Sequence, residues 1–205
     1  MGHISVLLPE LQSNHSSIPT DKNTGAWLAS VHSIIMPLGC FLGGTFGDWY
    51  GRRLTLMLST GLFLVGWLFI AGAQNHIMLF IGRIIDGASK GIAAAICEVL
   101  IDEFSERSIR ASISASLGVA YAIGAAIIYG FGTTSDWRLG PGIAAILSFI
   151  TLIALFFLPE TAVWLVRKRR LSEARCSLKW SYGSAKEVQV SVEPYECIHR
   201  TPMHE

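Results

Sequence analysis

Charged residues are scarce in this sequence, and long apolar runs separate those that are present. Aspartate, glutamate, lysine and arginine make up 15% of the 205 residues, against about 25% in an ordinary soluble domain. Hydrophobic residues make up 51% of the chain, and the mean hydropathy is +0.47. The composition therefore excludes an ordinary soluble domain and indicates a membrane protein.

Several features that would point to a particular chemistry are also missing. The four cysteines have no CxxC spacing, so we predict no zinc or other metal site, no disulfide framework and no cofactor. No basic cluster interleaved with aromatic residues suggests a nucleic acid partner. No apolar run holds a nucleophile–base pair or a His/Cys/carboxylate constellation, which argues against an enzyme. Residues 1–8 do not resemble a secretory signal peptide. The four histidines before the tail are scattered, and we expect them at the surface or at an interface.

Five apolar segments are each long enough to cross a bilayer, which takes about 20 residues. They cover residues 26–46, 54–73, 77–101, 111–132 and 139–158, and all are predicted helical because lipid excludes other open structures. Residues 1–8 look like the end of another span, and residues 9–25 like a polar loop. After the bundle at 26–158, residues 159–182 form an amphipathic helical segment, and the tail at 183–205 is predicted to be disordered.

Lysine and arginine are unevenly distributed between the two sides of this bundle. One side carries the basic residues Arg52, Arg53, Arg107, Arg110, Arg167, Lys168, Arg169 and Arg170, and the other carries Lys22 and Arg138. The basic side is predicted to be cytoplasmic, and it includes the C-terminal segment. A glycosylation sequon at Asn14 then faces outside, as modification requires.

Residues 44–53 read as a close turn between the first two spans, on the cytoplasmic side. Small residues let helix backbones approach closely, and the glycines of this region are Gly43, Gly44, Gly47 and Gly51. Asp48, Arg52 and Arg53 supply the charges, and arginine at mid-bilayer would cost roughly 2.5–3.5 kcal/mol.

The third span contains a polar stripe of Arg83, Asp86 and Lys90. On a helix Asp86 lies about 60° from Arg83, and Lys90 about 20° from it, so the carboxylate can neutralise either cation one turn away. Two interpretations stay open: pairs that only neutralise one another, or the wall of a water-filled cavity. A row of glycines beside the stripe is predicted to pack against other helices: Gly82, Gly87 and Gly91.

Three motifs appear in order along the chain. They are Gly44-x-x-x-Asp48-x-x-Gly51-Arg52-Arg53, then Gly82-Arg83-x-x-x-Gly87-x-x-x-Gly91 followed by Glu103 and Arg110, then Pro159-Glu160-Thr161 with Trp164. Together they resemble the sugar-porter family of the major facilitator superfamily. Met36-Pro37-Leu38-Gly39, Gly66-Trp67 and a Glu-Ala-Arg-x-x-Leu-x-Trp run add a similarity to insect facilitated trehalose transporter-like proteins.

The resemblance implies an all-α membrane protein that is the N-terminal half of a major facilitator fold, with helices two to six complete and the end of helix one. It implies transport of a sugar, trehalose or a hexose, by alternating access in the plasma membrane, and a half that is incomplete alone. It also implies a cytoplasmic gating network of Asp48, Gly51, Arg52, Arg53, Glu103, Arg110 and Glu160. The alternative is a short, non-transporting protein that associates with a second transporter half or a full-length relative.

Overall fold

The described part of the chain is helical wherever it is regular. The computed structural model describes residues 21–105, 109–132 and 139–182, and no strand occurs within those ranges. The helices are α1 Lys22–Tyr50, α2 Arg52–Ala71, α3 His76–Phe104, α4 Arg110–Gly132, α5 Leu139–Phe156, α6 Ala162–Arg167 and α7 Leu171–Tyr182. The predictions for residues 1–8, for Asn14, for most of the loop at 9–25 and for the tail at 183–205 lie outside the described residues.

Helices α1 to α5 follow the five apolar segments in order. By length and composition, Asn23–Tyr50, Arg52–Ala71 and Arg110–Ile127 are each able to cross a membrane, and Gly140–Phe156 is a shorter apolar helix. Helix α3 has 29 residues, so it is about 43 Å long at 1.5 Å per residue. It also carries six charged residues, which sets it apart from its neighbours.

The connection between α1 and α2 is one residue, Gly51. Its φ of 102° is the only positive glycine φ among the described residues, and it lies in a region that side chains disfavour. The N–H of Gly51 donates to the Gly47 carbonyl over 3.2 Å, which closes the last turn of α1. The expected turn over residues 44–53 is therefore wrong, because one helix runs to Tyr50 and the next begins at Arg52, which leaves only Gly51 between them.

Glycines let the backbones of α1 and α3 touch. A Cβ on Gly87 would lie 2.7 Å from the carbonyl oxygen of His32, and a Cβ on Gly91 would lie 2.8 Å from the backbone nitrogen of Cys40. On the same helix, Gly82 faces α2 instead. The predicted packing face of α3 is confirmed, and no larger residue fits at this approach.

The glycines at the end of α1 divide between two faces. A Cβ on Gly43 would lie 2.9 Å from the Cα of Ile92, and one on Gly47 would overlap the side chain of Ile96. Gly44 has no neighbour within 4 Å of such an atom. The expectation that Gly44 also serves close approach is wrong, because one residue further along a helix is a rotation of about 100°.

Helix α3 lies between α1 and α2, and α5 packs on α2. Two apolar clusters fill these contacts, one of Leu28, Trp67, Ile70, Ala73, Leu79 and Ala145, the other of Leu56, Ile96 and Leu100. Helix α4 is held more loosely, since none of its apolar window Arg110–Ile127 is buried. A third cluster of Leu165, Val166 and Ala174 joins α6 to α7.

Candidate functional site

Asp86 is the centre of a buried polar cluster in the middle of α3. Its side chain is fully buried, and one oxygen, Oδ2, meets three partners. Oδ2 lies 3.5 Å from Lys90 Nζ, 3.9 Å from Arg83 Nη1 and 3.1 Å from His32 Nδ1. Helix geometry alone brings the first two together, because they stand three and four residues from Asp86.

His32 enters the cluster from α1, across the glycine contact. The expectation of a surface position is wrong for this histidine, which lies in the contact between two helices and is only 4% exposed. His32 precedes the packed Gly39 by seven residues, and seven residues are close to two helical turns, so both lie on the face of α1 that meets α3. This seven-residue spacing is the feature of the sequence from which the position of His32 could have been predicted.

Two aromatic rings of α2 cover the ammonium group of Lys90. Its Nζ lies 5.4 Å from the ring centroid of Phe63 and 5.7 Å from that of Trp67. The rings themselves meet edge to face at 5.8 Å. Cation–π attraction therefore supplements Asp86 in holding a charge that is 30% exposed.

A cavity of about 410 Å³ opens beside this cluster, within the ~300–1,000 Å³ usual for small-molecule sites. Helices α2, α3, α4 and α5 line it. Its polar or aromatic lining residues are Ser59, Thr60, Phe63, Trp67, Arg83, Lys90, Tyr121, Ser148 and Thr151. Asp86 is not in this lining, so Arg83 and Lys90 are the charged groups that the described residues present to the cavity.

The serine and threonine hydroxyl groups of the cavity donate their protons to their own helices. Ser59 and Thr60 both donate to the Leu56 carbonyl over 2.8 Å, and Ser148 donates to the Ala144 carbonyl over 2.7 Å. With their protons used in this way, these hydroxyl oxygens can only accept a hydrogen bond from a ligand in the cavity, while the cations supply donors. With the aromatic faces, this set suits a ligand that carries several hydroxyl groups on an apolar frame.

Arg52 is the centre of a second cluster, where α1 meets α2. Its Nη2 lies 3.1 Å from Asp48 Oδ1 and 3.1 Å from Glu103 Oε1 of α3, and its Nη1 donates to the Gly47 carbonyl over 3.0 Å. Arg52 is 4% exposed. Two carboxylates from two helices thus meet one buried guanidinium, a group whose several donors allow that geometry.

Glu160 holds the start of α2 from the far end of the chain. Its Oε1 accepts the backbone N–H of Arg53 over 3.0 Å. A carboxylate is favourable at this position, because the N-terminus of a helix carries a partial positive charge. Arg53 donates in turn to the Phe156 carbonyl over 2.7 Å. A Cβ on Gly51 would lie 2.5 Å from Glu160 Oε2, so a larger residue would have to displace this carboxylate and would also be strained by the positive φ.

Helices α6 and α7 complete the second cluster. The indole Nε1 of Trp164 donates to the Asp48 carbonyl over 3.2 Å, and Arg167 Nη1 lies 3.6 Å from Asp48 Oδ1. Ser177 donates to the Glu160 carbonyl over 2.6 Å. Trp164 belongs to the third sequence motif, but the motif does not indicate this contact, and Ser177 belongs to none of the three motifs.

Arg110 stands apart from the rest of the predicted network. Its Nε lies 3.2 Å from Asp102 Oδ1, and its Nη2 donates to the Asp102 carbonyl over 2.8 Å. The predicted members Asp48, Arg52 and Glu103 thus meet directly, and Gly51, Arg53 and Glu160 meet beside them. Arg110 ties the start of α4 to the end of α3 through Asp102, which belongs to none of the three sequence motifs.

Comparisons with known proteins agree with this architecture. Residues 2–204 match the family model described as sugar (and other) transporter. The chain is 32% identical over 177 residues to the facilitated trehalose transporter Tret1 of Apis mellifera ligustica, covering 84% of this chain and 34% of that protein. It is 34% identical over 168 residues to sugar transporter ERD6-like 10 of Arabidopsis thaliana, covering 82% and 36%.

Solved structures show the same fold. The major facilitator proton:xylose symporter XylE, bound to 6-bromo-6-deoxy-D-glucose, superposes with a TM-score of 0.72 at 19% identity, covering 95% of this chain and 48% of that one. A partially occluded inward-open form of the xylose transporter XylE from E. coli gives 0.75, covering 95% and 54%. This chain spans about a third of the curated relatives and about half of the solved structures.

Proposed function

This chain belongs to the sugar (and other) transporter family and is an integral membrane protein, and we propose that it forms the N-terminal half of a sugar transporter. In this proposal the half contributes one wall of an alternating-access pathway for trehalose or a hexose. The observation that carries it is the cavity beside Lys90, where hydroxyl acceptors, cationic donors and aromatic faces converge. The relatives' names support a sugar as the substrate class, and the family match supports transport.

The second cluster is proposed to act as a cytoplasmic latch. Charge-assisted contacts at a domain edge suit a switch, because water can replace them when the halves rock apart. Arg52 with Asp48 and Glu103 forms the buried part, and Glu160 with Arg53 forms the part that reaches α6. On the uneven distribution of lysine and arginine, we propose that this side and the C-terminal segment face the cytosol. The proposal of the plasma membrane rests on the resemblance to sugar porters alone.

Sugar binding by the cavity is tested with a matched pair of tyrosines. Tyr121 lines the cavity on α4 and is 61% exposed, whereas Tyr50 is 54% exposed at the end of α1, outside the cavity lining. We expect Tyr121→Phe to weaken binding of labelled glucose or trehalose about fivefold, the equivalent of one hydrogen bond of about 1 kcal/mol. Tyr50→Phe should leave it unchanged. Scintillation proximity binding to the purified chain in nanodiscs gives both dissociation constants.

Transport by this chain alone is tested in proteoliposomes. We expect sugar binding without saturable uptake, because the pathway of the proposal needs a second bundle. Uptake by the chain alone would contradict the half-transporter proposal. Absence of any sugar binding, or equal losses in both tyrosine variants, would contradict the assignment of the cavity. Co-purification with a full-length relative without sugar binding would favour the non-transporting alternative.

A further inference from the structure

A basic run precedes Ser172 on the exposed surface of α6 and α7. Arg167, Lys168, Arg169 and Arg170 are consecutive, and only Leu171 separates them from Ser172. All these side chains, like that of Ser172, are exposed. Arg169 has a φ of 61°, the only positive φ of a non-glycine residue in the described ranges, and it marks the turn between the two helices.

The arginines of this run are held by exposed ion pairs. Arg170 Nη2 lies 2.6 Å from Glu173 Oε1, with both side chains about half exposed at 55% and 50%. Arg167 meets Asp48 at 3.6 Å, with exposures of 64% and 61%. Exposed pairs of this kind are worth about 0–1 kcal/mol. An acidic groove on another protein can therefore take these arginines at little cost to the fold.

We propose that Ser172 is a phosphorylation site for an arginine-directed protein kinase. Such a kinase chooses its substrate by charge pattern, and Arg170 and Arg169 stand two and three residues before the hydroxyl group. Carboxylates of the kinase would bind these guanidiniums as bidentate, charge-assisted pairs. The proposal requires the segment to face ATP, and therefore rests on the cytoplasmic orientation proposed from the basic residues.

The reaction is an ordinary phosphoryl transfer from MgATP. The Oγ of Ser172 bonds to the γ-phosphorus, the bond from that phosphorus to the β–γ bridging oxygen breaks, and ADP leaves. The hydroxyl proton passes to the catalytic aspartate of the kinase. The product places a charge of about −1.5 to −2 in the first turn of α7, where it competes with Glu173 for Arg170.

Ser177 provides a control within the same helix. It also has an arginine, Arg175, two residues before it. However, Ser177 is 3% exposed, and its hydroxyl donates to the Glu160 carbonyl. A kinase that reads arginine and needs an accessible hydroxyl should therefore discriminate between the two serines. Trypsin separates them, because cleavage after Arg170 and Arg175 leaves Ser172 in the peptide 171–175.

The experiment uses the whole chain in lipid nanodiscs, the catalytic subunit of cAMP-dependent protein kinase and radiolabelled MgATP. We expect phosphate on peptide 171–175 by mass spectrometry, with Ser177 unmodified. Ser172→Ala should lower incorporation about tenfold or more. Arg169→Ala and Arg170→Ala should each lower kcat/KM about tenfold, the equivalent of one lost charge-assisted contact. A synthetic peptide of residues 167–175 serves as the unfolded reference.

Each remaining outcome counts against the proposal. If the peptide is phosphorylated but the folded chain is not, the structure shields Ser172 and the site is refuted. Incorporation that survives Ser172→Ala places the phosphate elsewhere. Arginine variants that are modified as well as the natural chain would refute recognition by an arginine-directed kinase.

Discussion

At the scale of single residues, the buried cluster depends on the Asp86 carboxylate. It is fully buried, and its Oδ2 meets two cations and a histidine. A charge in the middle of a membrane costs roughly 2.5–3.5 kcal/mol on insertion scales, so Lys90 and Arg83 both gain from this neighbour. Removing the carboxylate leaves the cations in place and withdraws a large part of their compensation.

We expect Asp86→Ala to lower the free energy of unfolding by about 3–5 kcal/mol, as breaking one side of a buried ion pair does. The double variant Asp86→Ala, Lys90→Met should lose less free energy of unfolding than Asp86→Ala alone, because the second change removes the cation that the first change deprived of its carboxylate. Glu98→Ala is the matched control, since Glu98 is an exposed carboxylate on the same helix. Thermal unfolding in detergent micelles measures all three.

The interaction energy between Asp86 and Lys90, obtained by comparing the single and double variants, tests this prediction. A double variant that is as unstable as the sum of its single changes, or more so, would mean that Asp86 and Lys90 do not stabilise one another. If Glu98→Ala lowers the free energy of unfolding as much as Asp86→Ala, the buried position of Asp86 has no particular role in stability.

At the scale of helices, the contact of α1 with α3 depends on which face each glycine occupies. Gly43 and Gly44 are adjacent, yet a Cβ on Gly43 would lie 2.9 Å from the backbone of Ile92, and one on Gly44 would meet open space. Backbone atoms cannot move aside as a flexible side chain can. Residue type alone does not separate these two positions, whereas helix phase does.

Gly43→Ala and Gly44→Ala therefore form a matched test of this contact. We expect Gly43→Ala to destabilise by about 1–3 kcal/mol, the usual range for overpacking. Gly44→Ala should be neutral or stabilising by up to about 1 kcal/mol, because alanine loses less backbone entropy in a helix. Urea or thermal unfolding of both variants gives the difference. Equal effects would contradict the assignment of the packing face.

At the scale of the whole molecule, the second cluster joins parts of the chain that are far apart in sequence. Glu160 bonds to Arg53 across 107 positions, and Trp164 bonds to Asp48 across 116. These contacts hold α6 and α7 against the ends of α1 and α2. The third apolar cluster, of Leu165, Val166 and Ala174, joins α6 to α7, and Trp164 packs against it.

Glu160→Ala should loosen α6 and α7 without unfolding the bundle. The change removes the acceptor of the Arg53 N–H, and a net loss of about 1–2 kcal/mol would raise local opening roughly 5–30-fold. Hydrogen exchange followed by mass spectrometry should show faster exchange at residues 162–178 and unchanged exchange in α3. Glu173→Ala, an exposed carboxylate of α7, is the control, and equal acceleration there would refute a particular role for Glu160.

Large apolar side chains also remain exposed along the bundle, among them Trp27 at 65% and Phe41 at 77% on α1. Such surfaces suit lipid or a second bundle, both of which are apolar surroundings. The chain spans about a third of the length of the two curated relatives described above, and the half-transporter proposal assigns these exposed faces to lipid or to a second bundle.

The sequence by itself determined the class of protein, the order of the apolar helices and the pairing of Asp86 with Arg83 and Lys90. Each of these follows from composition or from the fixed geometry of one helix, where spacing decides which side chains meet. The family resemblance likewise rested on short motifs within single elements, and the match over residues 2–204 confirms it.

Only the tertiary structure decided what meets across helices. It placed His32 against Asp86, directed Arg110 to Asp102, and separated Gly44 from Gly43. It also reduced the expected turn at 44–53 to Gly51, whose space is limited by Glu160. Such contacts depend on the register and rotation of two packed elements, which spacing within one segment of the sequence does not contain.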